Sequence, residues 1–202
     1  AYAPKDPRID GSIFDVTKEA PNYSWGADKQ QDETGLWEKK YCAINYKVSS
    51  DDGDTYQNIS MALHPDVSSD YMINNVQDIV VLRFADILLM HSELTKTVDG
   101  INRVRARVGL PAISTYSDQA LQSERRFELA FEGERWFDLL RWHKAAQALA
   151  AENGVTVRNN NVEESKDMSN IAQRVEATGG FLQIPQSQID LSNGVLKQNK
   201  GW

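Results

Sequence analysis

The sequence predicts a mainly α fold with little β structure. Three observations point there. Between residues 78 and 150 apolar side chains recur at helical steps, and those runs are punctuated by glycine and proline where helices should stop. Residues 1–77, by contrast, are broken by Pro4, Pro7, Pro21 and scattered glycines and aspartates, and their apolar runs stay short. With 202 residues, 41% of them hydrophobic and 9% aromatic, the chain can bury a real core as one domain. Within that domain, 1–77 is expected to be a loop-rich aromatic segment, 78–150 the helical body, and 151–202 a loop and tail.

In the first segment Tyr23, Trp25, Trp37, Tyr41, Tyr46 and Tyr56 crowd aromatic rings onto a backbone with few regular elements to hide them. Rings on loops suit a sugar platform, because the apolar face of a pyranose stacks on an aromatic while its hydroxyls meet polar side chains. Trp25, Trp37, Tyr23 and Tyr41 are the expected stacking residues. Trp25 leads because Tyr23, Ser24 and Gly26 flank it rather than aliphatics. The competing reading is that these rings pin long loops to the body of the protein. Asp51, Asp52, Gly53 and Asp54 lack the alternating spacing of a calcium-binding EF-hand loop and predict a solvated turn.

In residues 78–96, DIVVLRFADILLMHSELTK, the side chains of Ile79, Val80, Phe84, Ile87, Leu88 and Leu89 cover more than half of a helix circumference. A helix buried on several sides is expected. In GINRVRARVG, Ile101, Val104, Arg105 and Val108 fall at helical spacing, Gly109 stands where a C-terminal cap belongs, and Pro111 prevents continuation. The two form a helix hairpin. Ser114, Thr115 or Ser117 caps the next helix, which contains Leu121 and runs into SERRFELAFEGERWFDLLRW, residues 123–142. Gly133 in that run costs about 1 kcal/mol relative to alanine, so a bend or two helices joined there is expected. The amphipathic pattern continues through KAAQALAAEN and stops at Gly154. Residues 154–180 are polar and predict a surface excursion with a short strand at 155–157. The tail has a strand-like run ending at Pro185, a turn of helix at 187–191, and coil to Trp202.

Residues 123–142 also set charge beside aromatic bulk. Arg125, Glu128, Glu132 and Arg135 recur at three- and four-residue steps along one helix face, next to Leu129, Phe131, Trp136, Leu139, Leu140 and Trp142. Glu128, Glu132 and Asp138 contain the two carboxylates a glycosidase needs. The stronger reading is a structural ion-pair network in which Arg125, Arg135 and Arg141 neutralise Glu128, Glu132 and Asp138. An acid catalyst requires a raised pKa, and a neighbouring arginine lowers it.

Composition removes other classes. Twenty-nine acidic against 22 basic residues give a net charge of -7 and a pI near 5.0, which leaves no electrostatic footprint for nucleic acid. No apolar run reaches the ~18–20 residues a membrane span requires, and no basic stretch leads into an apolar one at the start. The chain as given is expected to be soluble. Cys42 is the single cysteine, which excludes an internal disulfide and a thiolate zinc cluster, and His64, His91 and His143 lack metal-ligand spacing. No metal and no cofactor are expected.

Three blocks, LRFADILLMHSE (82–93), INRVRARVGLP (101–111) and ERRFELAFEGERWFDLLRW (124–142), resemble in order the successive signatures of the SusD/RagB family of nutrient-binding outer-membrane lipoproteins. IPQSQI (184–189) and QNKGW (198–202) are similar to that family's closing motifs, and Asp6-Pro7-Arg8 to its DPR element. Asp86 stands in place of the family's usual glutamate, Lys200 of proline and Trp202 of tyrosine, and the connection between Glu93 and Asn102 is shorter than usual. The resemblance implies a SusD-like helical fold of tetratricopeptide-like helix pairs packed against a loop-rich carboxy-terminal region. It implies non-catalytic capture of an oligosaccharide at the extracellular face of an outer membrane, with delivery to a SusC-like TonB-dependent barrel. It further implies a lipid anchor on an amino-terminal cysteine, carried with an amino-terminal half that these residues do not include. A helical interaction scaffold without a small ligand is the second reading, and a glycoside hydrolase the third.

Overall fold

A computed structural model describes residues 6–19, 34–41, 45–50, 53–58, 78–159 and 162–202. The chain divides into two compact units, one of residues 1–14 and 37–133 and the other of residues 15–36 and 134–202. Helix dominates, and the strands among the described residues form only two-stranded antiparallel or short paired ribbons.

The first unit is built on three helices, α3 (Phe84–Thr95), α4 (Asp99–Arg107) and α5 (Asp118–Glu128). Leu89 of α3, Ile101 and Val104 of α4, and Leu121 and Leu129 at α5 form its buried core, with Ala85, Leu88, Ile113 and Tyr116 packed against it. α3 starts at Phe84 rather than at residue 78, and Arg83 is extended (φ -140°, ψ 162°). The three β-branched residues Ile79, Val80 and Val81 resist helix, and the Arg83 side chain is tied down elsewhere. α3 also buries less than its composition suggests. Leu89 is fully buried, but Phe84, Ile87 and Leu94 are exposed, so the helix buries one stripe and not several sides.

Lys96 turns left-handed (φ 57°) to end α3, and α4 begins three residues later. The close crossing of the hairpin explains Gly100: a Cβ there would lie 1.9 Å from the Leu88 carbonyl oxygen. Ser92, fully buried, accepts the Ile101 N–H through Oγ at 3.1 Å, which satisfies a donor in the first turn of α4. Ser117 caps α5 by accepting the Ala120 N–H at 3.1 Å. Phe131 (φ 64°) and Gly133 (φ 85°) end the run, so residues 123–142 form two helices, as Gly133 predicts.

The amino-terminal residues, read as loops, hold short elements: α1 (Arg8–Ser12), β1 (Ile13–Asp15), α2 (Val16–Glu19), β2 (Leu36–Glu38), β3 (Asn45–Ser50) and β4 (Gly53–Asn58). β1 pairs with β2, and β3 pairs with β4 in antiparallel register from Asn45↔Asn58 to Ser50↔Gly53. Polar hairpin strands carry no run of apolar residues, which is why periodicity missed them.

The second unit contains α6 (Arg135–Arg141), α7 (Ala145–Ala150), β5 (Thr156–Asn159), β6 (Val162–Ser165), α8 (Ile171–Thr178) and α9 (Gln186–Leu191). Residues 154–180 are thus more than a surface excursion: β5 and β6 form a hairpin with Val157 buried, and α8 packs on α7. The expected strand-like run before Pro185 joins no ladder. Gln198 instead brackets Ile184, its Oε1 accepting the Ile184 N–H and its Nε2 donating to the Ile184 carbonyl, both at 2.9 Å. Asn199 donates to the Leu182 carbonyl, and Trp202 donates through Nε1 to the Phe181 carbonyl while Arg174 lies 5.4 Å from its ring centre. The closing QNKGW is a strap that supplies by side chain the partners a neighbouring strand would have given.

Candidate functional site

Glu124 and Glu128 are one helical turn apart on α5 and are 2% exposed each. Carboxylates so deeply buried require partners, and these come from three other segments. Arg8 of α1 donates from Nη1 to Glu124 Oε1 at 2.7 Å and to Glu128 Oε2 at 3.1 Å. Its Nε and Nη2 are held by the two oxygens of Asp6 at 3.0 and 2.7 Å. Arg105, from the last turn of α4, takes Glu124 Oε2 at 2.9 Å, and Arg107 at the end of that helix takes both Glu128 oxygens at 2.8 and 3.0 Å. Arg83 donates to Glu128 Oε1 at 2.7 Å, to Glu132 at 2.6 and 3.0 Å, and to the Glu128 carbonyl at 2.7 Å. Lys40 completes the ring on Glu132 and the Glu128 carbonyl. Glu132 reaches these cations because the chain leaves α5 before it, at Leu129.

The electrostatics follow the contacts. Burial pushes the Glu128 carboxyl up, but the hydrogen bond and charge of Arg83, with Arg8 and Arg107, outweigh burial and hold it below its usual range. Asp6 is likewise lowered, first by its hydrogen bond from Arg8. Burial works against the charged form of Arg8 and Arg83, yet their carboxylate partners raise both. Glu128 is therefore held ionised at neutral pH, the opposite of what a general acid requires.

The contacts differ in part from the expected wiring. Arg125 donates to Asp86 of α3 at 2.6 Å, both side chains being almost wholly buried. Arg135 opens α6, half-buried, and Arg141 pairs locally with Asp138 at 2.9 and 3.0 Å and lies 4.5 Å from the Trp142 ring centre. The stripe is divided because Phe131 and Gly133 end the helix between Glu128 and Arg135. Asp6, Arg8, Lys40, Arg83, Arg105 and Arg107 were not expected as partners. A signal existed for most of them: each arginine lies inside a motif block, in DPR, LRF or NRVRAR.

Beside the cluster lies a cleft of about 620 Å³ bordered by Pro7, Gly11, Ser12 and Lys40, by Arg83 and Arg107, and by Val108 and Phe127. Of the expected stacking rings, Trp37 on β2 is half-buried and stacks on Phe14 of β1 with centroids 6.2 Å apart and planes at 20°. Lys39 lies 5.4 Å from the other ring of that pair, Phe14. The Tyr41 hydroxyl accepts the Val80 N–H at 3.2 Å. Tyr23 and Trp25 lie outside the described residues. No group of three or more His, Cys, Asp or Glu among the described residues is placed to hold a metal ion.

The SusD family model matches residues 1–202. A SusD-like protein, P38, from Formosa agariphila is 25% identical over 177 residues, covering 77% of this chain and 32% of that protein. A laminarin-binding SusD-like protein of known structure superposes with a TM-score of 0.64 at 28% identity over 98% of this chain and 35% of its own. The surface glycan-binding protein A of Bacteroides thetaiotaomicron, solved in complex with laminarihexaose, superposes with a TM-score of 0.68 at 23% identity, over 100% of this chain and 39% of that one. The chain thus spans about a third of the length of the curated relative it matches. With its ordered motif blocks folded into one buried ion cluster and the family model matched from end to end, the chain belongs to the SusD family.

Proposed function

We propose that this protein captures an oligosaccharide without cleaving it, at the extracellular face of an outer membrane, and passes it to a SusC-like TonB-dependent barrel. The observation that carries the reading is the family match over residues 1–202, joined by the likeness of 98% of the chain to a SusD-like protein that binds laminarin. The cluster chemistry supports the absence of catalysis. Glu128 and Glu132 are each bonded by at least two cations, and Glu128 is held on its ionised side. A lipid anchor outside these residues provides the membrane attachment, and no helix among the described residues is long and apolar enough to cross a membrane.

Trp37, stacked on Phe14, is proposed as a stacking residue for the sugar, and Tyr41, Tyr23 and Trp25 are each proposed as further ones. An aromatic platform of this kind contributes largely through apolar contact, so truncating one ring costs on the order of 1–3 kcal/mol. Calorimetric titration with laminarihexaose and a panel of other oligosaccharides, repeated with Trp37→Ala and Trp25→Ala, tests it. Affinity is expected to fall about tenfold or more in at least one variant, in line with that energy. Unchanged affinity in both would remove the ring assignment, and absence of heat with every oligosaccharide would remove the function.

A further inference from the structure

The cleft beside the ion cluster carries recognition groups that the cluster itself leaves unengaged. Four cations, Arg8, Lys40, Arg83 and Arg107, border it against two carboxylates, Glu128 and Glu132. Arg8 and Arg83 have every guanidinium nitrogen bonded to protein. Arg107 differs. Only its Nη2 is engaged, on Glu128, and among the described residues its Nε and Nη1 donors make no hydrogen bond, while its side chain is 60% exposed. Ser12, which also lines the cleft, is 3% exposed. Its carbonyl accepts the Lys39 N–H, but its hydroxyl has no hydrogen-bond partner among the described residues. A desolvated hydroxyl without a partner is destabilising unless something in the cleft bonds it.

Pro7, Val108 and Phe127 add apolar surface to the lining. At about 620 Å³ the space lies within the range of small-molecule sites, roughly 300–1,000 Å³. Guanidinium donors and a hydroxyl beside an aromatic wall suit a ligand that is anionic at one substituent and apolar on one face. The net charge of -7 does not oppose this at close range, since charges beyond about 10 Å are screened at ordinary ionic strength while those lining the cleft are not.

We infer that the cleft is a subsite for an acidic sugar unit, whose carboxylate or sulfate ester is bound by Arg107 and Ser12 while its C–H face packs on Phe127. The inference rests on the glycan-binding reading above and narrows its ligand to glycans bearing uronate or sulfate.

Amide-resolved NMR titrations with glucose, glucuronate, glucose 6-sulfate and inorganic sulfate separate charge from sugar. One or both acidic sugars are expected to shift the amides of Gly11, Ser12 and Val108, and to do so less as salt is raised, while glucose leaves them in place. Which of the two acts distinguishes a uronate from a sulfate-ester subsite. Arg107→Gln should weaken that titration at least tenfold and Ser12→Ala about threefold. Glu128 retains Arg8 and Arg83 in both variants; if Arg107→Gln nevertheless unfolds, Ser12→Ala carries the test. Glucose titrating the same amides as strongly, inorganic sulfate matching the acidic sugars, silence from both acidic sugars, or unaltered titration in the folded variants would each overturn the subsite. Titration here without oligosaccharide binding in calorimetry would count against the proposed function alone, and oligosaccharide binding without titration here against the subsite alone.

Discussion

Asp86 and Arg125 show how a single pair can be expensive to break although costly to bury. Their side chains are 3% and 2% exposed, and the 2.6 Å bond between them joins α3 to α5. Taking both charges out of water is offset only by good geometry. Asp86→Ala removes the carboxylate and leaves Arg125 buried, so a loss of about 3–5 kcal/mol is expected in urea unfolding. Replacing both residues, Asp86→Leu with Arg125→Met, should cost clearly less, because neither charge of the pair then stays inside. Equal losses in the single and double variants would show that packing, and not charge, sets the energy. At this scale the sequence was half legible. Spacing on one helix set Glu128 and Glu132 beside Arg125, Arg135 and Arg141, and it did not point to the distant arginines that bond them. Their partners, Arg8 and Arg83, lie 120 and 45 residues away along the chain, a separation that local spacing does not encode.

At the scale of elements, glycine and proline were the reliable signs. Gly109 (φ 71°) and Pro111 closed α4 as expected, and Gly133 marked a true break. Gly100 carries the strongest consequence, because the α3–α4 crossing leaves no room for a side chain at that position. Gly100→Ala should destabilise the protein by roughly 1–3 kcal/mol through overpacking against backbone, which cannot rotate aside. Thermal unfolding checks it: a melting temperature equal to that of the unchanged protein would mean that the hairpin yields by a small shift. Helix propensity alone favours alanine by about 1 kcal/mol, so a loss shows that the contact wins. The polar strand pair β3 and β4, and the strap formed by Gln198 and Asn199, were illegible for a common reason. Both are defined by partners rather than by an apolar period.

Across the whole molecule, the motif blocks are separated in sequence but converge in the first unit. Arg8 from DPR, Arg83 and Asp86 from LRFADILLMHSE, Arg105 and Arg107 from NRVRAR, and Glu124, Arg125, Glu128 and Glu132 from ERRFELAFEGE form its ion pairs, most of them buried or half-buried. The family signature is therefore a clamp on four segments of chain, and Glu128 and Glu132, two of the three carboxylates that suggested a hydrolase, lie within it. The proposed function requires that these carboxylates hold the fold of a glycan-capturing protein and perform no bond cleavage. Incubating the protein at high concentration with laminarihexaose and acidic oligosaccharides, and counting new reducing ends beside Glu128→Gln, tests that claim most directly. Saturable binding of at least one of these oligosaccharides, with no new reducing ends from either protein, is expected. Reducing ends released by the unchanged protein and lost in a folded Glu128→Gln would contradict it.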